Sequence, residues 1–280
     1  MKSDLVVISW WSNCLALECL HRLVDRAGER SILVVQAGKP EQQKATFRAY
    51  LPAGVKELPY PASASGEDWR VRETVARELL ADRAGVWFVD HDLFLEEDAA
   101  GWLEAMDRRL ESSGACLCHP GPRRGPSITN PIFWLSPARL PAGMPSFARV
   151  PYIEDPLASR PYAARQGSAL IVPGKDTLVA AMEFLAERGR VGTFPLNKPD
   201  RAPGGPAPFP KYRHLGGLYT FTAEVGRQTQ DGWLARCVAE FSAFYRACRP
   251  EWVAVEDPVL LERLEEFRQA AAVRPGAGDS

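Results

Sequence analysis

The first 120 residues alternate between short, almost wholly apolar runs and longer segments with helical periodicity. The apolar runs are "LVVISW" (5–10), "SILVVQ" (31–36) and the start of "VWFVDHD" (86–92), and the helical segments are about 13–26, 40–50 and 68–85. Strands that are apolar along their whole length are typical of parallel sheets covered by helices on both faces. The sequence therefore predicts an α/β fold, with a mostly parallel, Rossmann-like sheet flanked by helices.

The second half of the chain changes character, because Pro and Gly become frequent after residue 120. Such a composition is typical of loops joining short strands. We expect a strand over 168–174, a helix over about 175–189, and two closing helices over about 230–248 and 256–272. These closing helices form a C-terminal extension, which either packs on its own domain or mediates homodimerisation or docking of an acceptor protein.

The composition restricts the partners of the protein. The formal net charge is −1, and no Lys/Arg stripe is interleaved with aromatic residues, so nucleic acid is not an expected partner. No apolar run approaches the roughly 18–20 residues needed for a transmembrane helix. The six cysteines are scattered without the spacing of a disulfide scaffold. Reduced core thiols in a cytoplasmic protein are the expectation.

Two carboxylates, Asp90 and Asp92, directly follow the apolar strand of "VWFVDHD". Ligands of open α/β sheets bind at the carboxyl ends of the strands. Carboxylates two residues apart can approach one hard cation, and Mg²⁺ or Mn²⁺ favours such oxygen ligands. The alternative is that both aspartates cap the turn into the next helix, expected over about 97–112.

The segment "RETVARELL" before "VWFVDHD" resembles the N-terminal half of GT-A glycosyltransferases, especially family 2. The resemblance implies that Asp92 is the principal metal ligand and that Asp90 lies near the ribose or the metal. His91 would fill the variable middle position of the motif. Arg72 or Arg77 would reach the donor from the preceding helix.

The segment "KYRHLGGLY" places His214 before a double glycine, similar to a late His-x-Gly-Gly segment that supplies a metal ligand in many GT-A enzymes. Neutral imidazole can ligate Mn²⁺, and glycine lets the backbone approach phosphate. The alternative is a loop histidine beside a glycine hinge.

A catalytic base is expected in "YIEDPLASR", where Glu154 and Asp155 lie downstream of the metal motif. A carboxylate there would deprotonate the acceptor hydroxyl of an inverting enzyme. The alternative is a solvated turn before Pro156. The resembling enzymes commonly follow this acidic pair with an aromatic residue, and the proline here departs from that pattern.

The nucleotide-binding residues also depart from the family, which commonly has an acidic residue after the second strand. Here "VVQAGKPEQ" has Gln36 in that neighbourhood. The nucleotide would instead be held by Gln36, or by Trp10 or Trp11 stacking on its base.

The implied function is transfer of a sugar from a nucleotide-diphosphate donor to an acceptor hydroxyl, with inversion expected and Mn²⁺ or Mg²⁺ as cofactor. The acceptor would be a carbohydrate, a glycolipid or a small molecule. The resemblance implies a GT-A catalytic domain over 1–228, with a nucleotide-sugar half (1–120) and an acceptor half (121–228). Helices over 229–272 and a disordered tail over 273–280 would follow. Two other functions stay open: a GT-A-like domain that binds a nucleotide or partner without turnover, and a metal-dependent phosphohydrolase.

Overall fold

The architecture is taken from a computed structural model. It describes residues 2–9, 12–37, 39, 41–60, 68–120, 131–148, 150–151, 174–175, 178–196, 206–215, 232–256 and 258–272.

Strands and helices alternate along the first half of the chain. The strands are β1 (Asp4–Ser9), β2 (Ile32–Gln36), β3 (Val55–Glu57), β4 (Val86–Asp90), β5 (Leu93–Leu95), β6 (Leu117–Pro120), β7 (Ile132–Leu135), β8 (Val150–Pro151), β9 (Gly174–Lys175), β10 (Val191–Phe194) and β11 (Tyr212–His214). The α-helices are α1 (Asn13–Arg26), α2 (Glu41–Arg48), α3 (Asp68–Thr74), α4 (Ala100–Ser113), α5 (Val179–Ala186), α6 (Gly232–Ala247), α7 (Pro250–Val253) and α8 (Pro258–Ala272). A π-helical turn (Val75–Leu79) follows α3, and a 3-10 turn (Pro137–Arg139) follows β7.

The central sheet has seven strands in the order β10-β6-β7-β4-β1-β2-β3. β7 runs antiparallel to both of its neighbours, β4 and β6, and the other neighbouring pairs are parallel. Two small antiparallel pairs, β5 with β11 and β8 with β9, lie outside it. The predicted α/β fold with a mostly parallel sheet is confirmed.

A hydrophobic core lies on each face of the sheet, because successive side chains of a strand point to opposite faces. Leu5 and Val7 of β1 belong to one core, and Val6 and Ile8 belong to the other. α1, α4 and the C-terminal helices contribute to the first core, whereas α3 and α5 contribute to the second. The apolar runs of the sequence are therefore buried on both sides.

The C-terminal extension packs against its own chain. Phe241 and Phe244 of α6 and Trp252 of α7 are buried in the same core as α1. The Phe244 ring stacks on Phe94 of β5 with 5.5 Å between centroids. The expected intrachain packing of these helices is therefore present, and dimerisation or docking of an acceptor protein stays a prediction.

Several helix boundaries differ from the sequence expectation, and the helix expected from about 175 begins at Val179. The helix expected to run to residue 85 ends as the π-helical turn at Leu79, and the helix expected from about 97 begins at Ala100. Of the strand expected over 168–174, residues 168–173 lie outside the described residues. Among the described helices, none combines the length and the apolar character needed to cross a bilayer.

Candidate metal and nucleotide site

The site lies at the carboxyl ends of β1, β2 and β4, where the chain order reverses. The chain passes from β1 to β2 and β3 on one side and places β4 on the other side of β1. Asp90, the last residue of β4, pairs with Ile8 of β1. Such a reversal leaves a crevice at the carboxyl edge, which is where open α/β sheets bind ligands.

The pairing of β5 with β11 brings His214 to the aspartates. His214 pairs with Leu93, the residue after Asp92. The Leu215 backbone N–H donates to the Asp92 carbonyl oxygen at 3.1 Å, which extends this pairing past Asp92. The His214 Nε2 atom consequently lies 3.2 Å from Asp92 Oδ1.

Asp90, Asp92 and His214 form what we call the carboxyl-edge cluster. One potential ligand atom from each residue lies within 4.8 Å of the other two. A cation bonded to oxygen at about 2.0–2.6 Å separates its ligands by at most about 5 Å. Two carboxylates and an imidazole are a donor set that suits Mn²⁺ or Mg²⁺ better than a soft thiolate-binding metal. The residues therefore fit a divalent cation.

Asp92 is the most buried member of the carboxyl-edge cluster, with 6% of the residue exposed. Burial opposes ionisation of its carboxyl group. The nearby charge and hydrogen bond of His214, with a smaller contribution from His91, outweigh this effect and hold the pKa of Asp92 below its ordinary value. Asp92 is therefore held in the charged form that a metal ion requires.

Arg72 is the arginine that the structure brings to the cluster. Its Nη2 atom lies 2.6 Å from Asp90 Oδ1, and its guanidinium group lies over the Phe133 ring, 5.4 Å from the centroid. A guanidinium fixed between a carboxylate and a ring has a set direction. Arg72 thus orients Asp90 and adds positive charge at the edge of the site.

Arg77 is directed elsewhere. Its guanidinium group pairs with Glu73 at 2.9 Å and donates to the carbonyl oxygens of Met144 and Pro145 at 3.1 and 3.0 Å. These contacts fasten the π-helical turn to the segment after β7. Of the two arginines that the sequence offered, only Arg72 contacts the carboxyl-edge cluster in the described structure.

Cys19 of α1 is buried next to Asp90 of the cluster. Its Sγ atom is 3.6 Å from the Asp90 carbonyl oxygen. Burial raises the pKa of the Cys19 thiol, and the charges of Asp92 and Asp90 raise it further. Cys19 therefore remains a neutral packing group under the acidic pair.

The predicted nucleotide-binding residues are only partly described. Gln36 is 1% exposed, and its Nε2 atom donates to the Lys44 carbonyl oxygen at 3.4 Å, so its amide is turned into the protein. Trp10 and Trp11 lie outside the described residues, as do the predicted bases Glu154 and Asp155.

A buried lysine at the same edge was missed by the sequence analysis. Lys39 follows β2, and its Nζ atom donates to Ser9 Oγ and Asn13 Oδ1, each at 2.7 Å. Nothing in the local sequence distinguishes Lys39 from a solvent-exposed loop lysine. Its role depends on β1 and β2 being neighbours.

Glu256, in the C-terminal extension, was also missed, and it caps the N-terminus of α1. Its carboxylate accepts hydrogen bonds from the Asn13 and Cys14 backbone N–H groups at 2.8 and 3.0 Å and from Ser12 Oγ at 2.5 Å. The first N–H groups of a helix need such acceptors. The capping carboxylate comes from a residue far away in the sequence, so no local sequence pattern predicts it.

Comparisons with known proteins return distant structural likenesses. No protein-family model matches the sequence, and no curated protein matches it. An active-site mutant of LgtC aligns with a TM-score of 0.49 at 14% identity, covering 90% of this chain and 99% of that one. The galactosyltransferase LgtC in complex with donor and acceptor sugar analogues aligns with a TM-score of 0.46 at 13% identity, with the same coverage of 90% and 99%.

The glycosyltransferase GlyE of Streptococcus pneumoniae TIGR4 aligns over 100% of this chain and 66% of its own, with a TM-score of 0.43 at 10% identity. TM-scores below 0.5 at such low identity do not establish a shared function. The functional assignment therefore rests on the side chains at the carboxyl edge.

Proposed function

We propose that the protein is a metal-dependent glycosyltransferase that moves a sugar from a nucleotide-diphosphate sugar to an acceptor hydroxyl group. The observation that supports this proposal is the carboxyl-edge cluster, at the switch point of a mostly parallel sheet. A hard cation with oxygen ligands at this position suits a diphosphate ligand, because both the ion and the diphosphate are hard partners. The acceptor class we propose is a carbohydrate, a glycolipid or a small molecule.

Each residue of the cluster has a distinct task in this proposal. Asp92 and His214 hold the ion, and the buried position of Asp92 keeps its carboxylate in one orientation. When bound, the ion would neutralise the diphosphate and stabilise its departure. Asp90, oriented by Arg72, lies at the edge of the same site and would contact the ion or the ribose.

The second half of the chain would supply the acceptor site. We propose that the domain over 1–228 forms the catalytic unit, with Glu154 or Asp155 as the base that deprotonates the acceptor hydroxyl. Attack by that hydroxyl on the face opposite the leaving diphosphate would invert the configuration at the anomeric carbon. The helices over 229–272 would complete the unit, since Glu256 caps α1 beside the site.

Calorimetric titration of nucleoside diphosphates tests the donor site. UDP, GDP, CDP, dTDP and ADP are titrated into the wild type with Mn²⁺ and with EDTA, and the titrations are repeated on Asp92→Asn. We expect at least one nucleotide to bind only with Mn²⁺ and to lose at least about 100-fold in affinity in the variant, because a direct ligand should matter more than outer-shell groups worth 10–100-fold.

Asp82→Asn is the matched control, because the Asp82 side chain is 88% exposed and belongs to no cluster in the described residues. It should bind like the wild type. Failure of every nucleotide to bind a folded wild type would refute the donor site. Metal-dependent binding followed by phosphate release without sugar transfer would point to a phosphohydrolase instead.

A further inference from the structure

Two cysteines from distant parts of the sequence meet at the start of α1. Cys14 is the second residue of α1, and Cys248 lies in the short turn between α6 and α7. Neither residue is in a disulfide, and the Cys14 thiol is hydrogen-bonded to the Cys248 thiol. Such contact is the first requirement for a disulfide, because the two sulfur atoms must approach to about 2.05 Å.

Polar groups beside the two cysteines hold the same segments together. Ser12 Oγ lies 3.0 Å from the hydroxyl oxygen of Tyr245 in α6. The Cys14 backbone N–H donates to the Glu256 carboxylate at 3.0 Å, and the Tyr245 hydroxyl donates to the same carboxylate at 3.1 Å. These bonds attach the C-terminal extension to the start of α1. The two thiols are therefore kept close by contacts other than their own.

The two thiols differ in exposure and in acidity. Cys248 is half-buried, whereas Cys14 is fully buried, so a small oxidant from solvent reaches Cys248 first. The hydrogen bond from Cys14 lowers the pKa of Cys248 despite its burial, with help from the Arg249 backbone N–H. The same hydrogen bond, together with burial, raises the pKa of Cys14. Because the thiolate is the nucleophile, Cys248 is the thiol that reacts first.

We propose that Cys14 and Cys248 form a reversible disulfide on exposure to hydrogen peroxide, and that this bond joins the C-terminal extension to α1. Disulfides of this transient kind occur in reducing compartments as redox sensors. The inference is independent of the proposed function, because it involves neither the carboxyl-edge cluster nor a nucleotide.

The reaction has two steps. The Cys248 sulfur attacks one oxygen of the peroxide, the O–O bond breaks, and a sulfenic acid and one water are formed. The Cys14 sulfur then attacks the Cys248 sulfur, so that the S–S bond forms, the S–O bond breaks and a second water leaves with the Cys14 proton. The two thiols together lose two electrons, and the peroxide is reduced to two molecules of water.

The disulfide would close a loop that contains most of the chain. A cross-link restricts the unfolded chain, and the restriction grows with the length of the loop. The native contacts already bring the two thiols together, so little rearrangement of the folded protein is needed. The oxidised protein should therefore resist urea better than the reduced protein.

Mass spectrometry of the oxidised protein tests the pair. The folded wild type is treated with hydrogen peroxide, its remaining thiols are alkylated, and it is digested without reductant. We expect a linked peptide that contains Cys14 and Cys248, and a loss of two of the six thiols. Before alkylation, the intact mass should fall by about 2 Da, the mass of two hydrogen atoms. The midpoint of urea denaturation should rise, and dithiothreitol should reverse every change.

Cys248→Ser should show neither the linked peptide nor the rise in the urea midpoint, and Cys14→Ala is the second variant should the first fail to fold. Cys116→Ala is the matched control. Cys116 is also buried, but its sulfur lies 3.1 Å from the Arg139 carbonyl oxygen. This variant should form the same linked peptide as the wild type.

Three results would overturn the inference. Peroxide could convert Cys248 of the folded wild type to a sulfinic acid without linking it to Cys14. The linked peptide could contain a different pair of cysteines. The linked protein could unfold at the same urea concentration as the reduced protein or at a lower one. None of these results concerns nucleotide binding, so this inference and the proposed function can fail separately.

Discussion

The two ends of the central sheet both hold a carboxylate against an arginine, but the pair at the amino end is buried and the pair at the carboxyl end is partly exposed. At the amino end, Asp107 pairs with Arg30 at 2.6 Å, and these side chains are 3% and 1% exposed. Asp107 also accepts hydrogen bonds from the Ser3 backbone N–H and from Trp87 Nε1, each at 3.0 Å. We call Ser3, Arg30, Trp87 and Asp107 the amino-end network.

At the carboxyl end, Asp90 pairs with Arg72 at the same 2.6 Å, but its side chain is 23% exposed. The neighbouring Asp92 faces His214, whose side chain is 28% exposed. The carboxylates here converge with the imidazole, whereas the donors around Asp107 all come from the protein itself. The same pairing is therefore enclosed by protein donors at one end and reached by solvent at the other.

Removing Asp107 should produce the largest change in stability. Asp107→Ala leaves the Arg30 guanidinium buried without its carboxylate, and breaking a buried pair in this way costs about 3–5 kcal/mol in the free energy of unfolding. Urea denaturation of the wild type and the variant measures this cost. Mn²⁺ affinity of the folded variant should not change, and a loss below about 1 kcal/mol would contradict the structural role of the amino-end network.

Removing His214 should affect Mn²⁺ affinity more than it affects stability. His214→Ala should weaken Mn²⁺ binding by about 100-fold, because it deletes a direct ligand and outer-shell changes alone cost 10–100-fold. Its midpoint of urea denaturation without metal should fall, because Asp92 loses the partner that holds its carboxylate, but by less than in Asp107→Ala, since the His214 side chain is 28% exposed. Titration with Mn²⁺ monitored by electron paramagnetic resonance measures the affinity.

His21→Ala is the control for this histidine, since His21 lies on α1 and stacks on Trp252 with 4.9 Å between centroids. It should retain wild-type Mn²⁺ affinity. An unchanged affinity in His214→Ala would remove the imidazole from the ligand set.

Replacing Arg72 should weaken nucleotide binding without weakening Mn²⁺ binding. Arg72→Met removes a charge of the same sign as the cation, so Mn²⁺ binding should be as tight as in the wild type or tighter. Nucleotide diphosphate should bind about tenfold more weakly, if the guanidinium contributes one charge-assisted hydrogen bond of about 1.5 kcal/mol. Paired calorimetric titrations of Mn²⁺ and nucleotide measure both effects.

Arg77→Met is the matched control for Arg72, because the Arg77 guanidinium group donates to the Met144 and Pro145 carbonyl oxygens. It should lower stability and leave nucleotide affinity unchanged. A weaker nucleotide affinity in Arg77→Met, equal to that in Arg72→Met, would mean that the two arginines cannot be assigned different roles.

Local sequence patterns predicted the elements that depend on local interactions. α1 was expected over 13–26 and spans Asn13–Arg26, because Ser12 caps its start by accepting from the Leu15 N–H at 3.1 Å and Gly28 follows its end. The apolar runs also predicted β1, β2 and β4, because a strand that is buried on both faces has a continuous apolar sequence.

Contacts between distant segments could be predicted only through the family resemblance or not at all. His214 was proposed as a ligand from the resemblance. In the structure, the pairing of β11 with β5 brings its side chain next to Asp92. Neither Lys39 nor Glu256 was expected, because their partners are set by strand order and by the return of the C-terminal helices. Metal binding itself stays a prediction, although the expected ligand set does come together.

The smallest expected effect is the pH dependence of the metal-free cluster. The pKa of Asp92 is lowered in the folded protein, with His214 and His91 outweighing the effect of burial. A carboxyl group with a lowered native pKa stabilises the fold above its unfolded pKa of about 3.9 and loses this contribution as the pH falls through the native value. In EDTA, the stability difference between the wild type and Asp92→Asn should therefore shrink as the pH is lowered from about 5 to about 3. Urea denaturation at each pH measures it, and a difference that stays constant or grows on acidification would show that Asp92 is not held as a carboxylate by its neighbours.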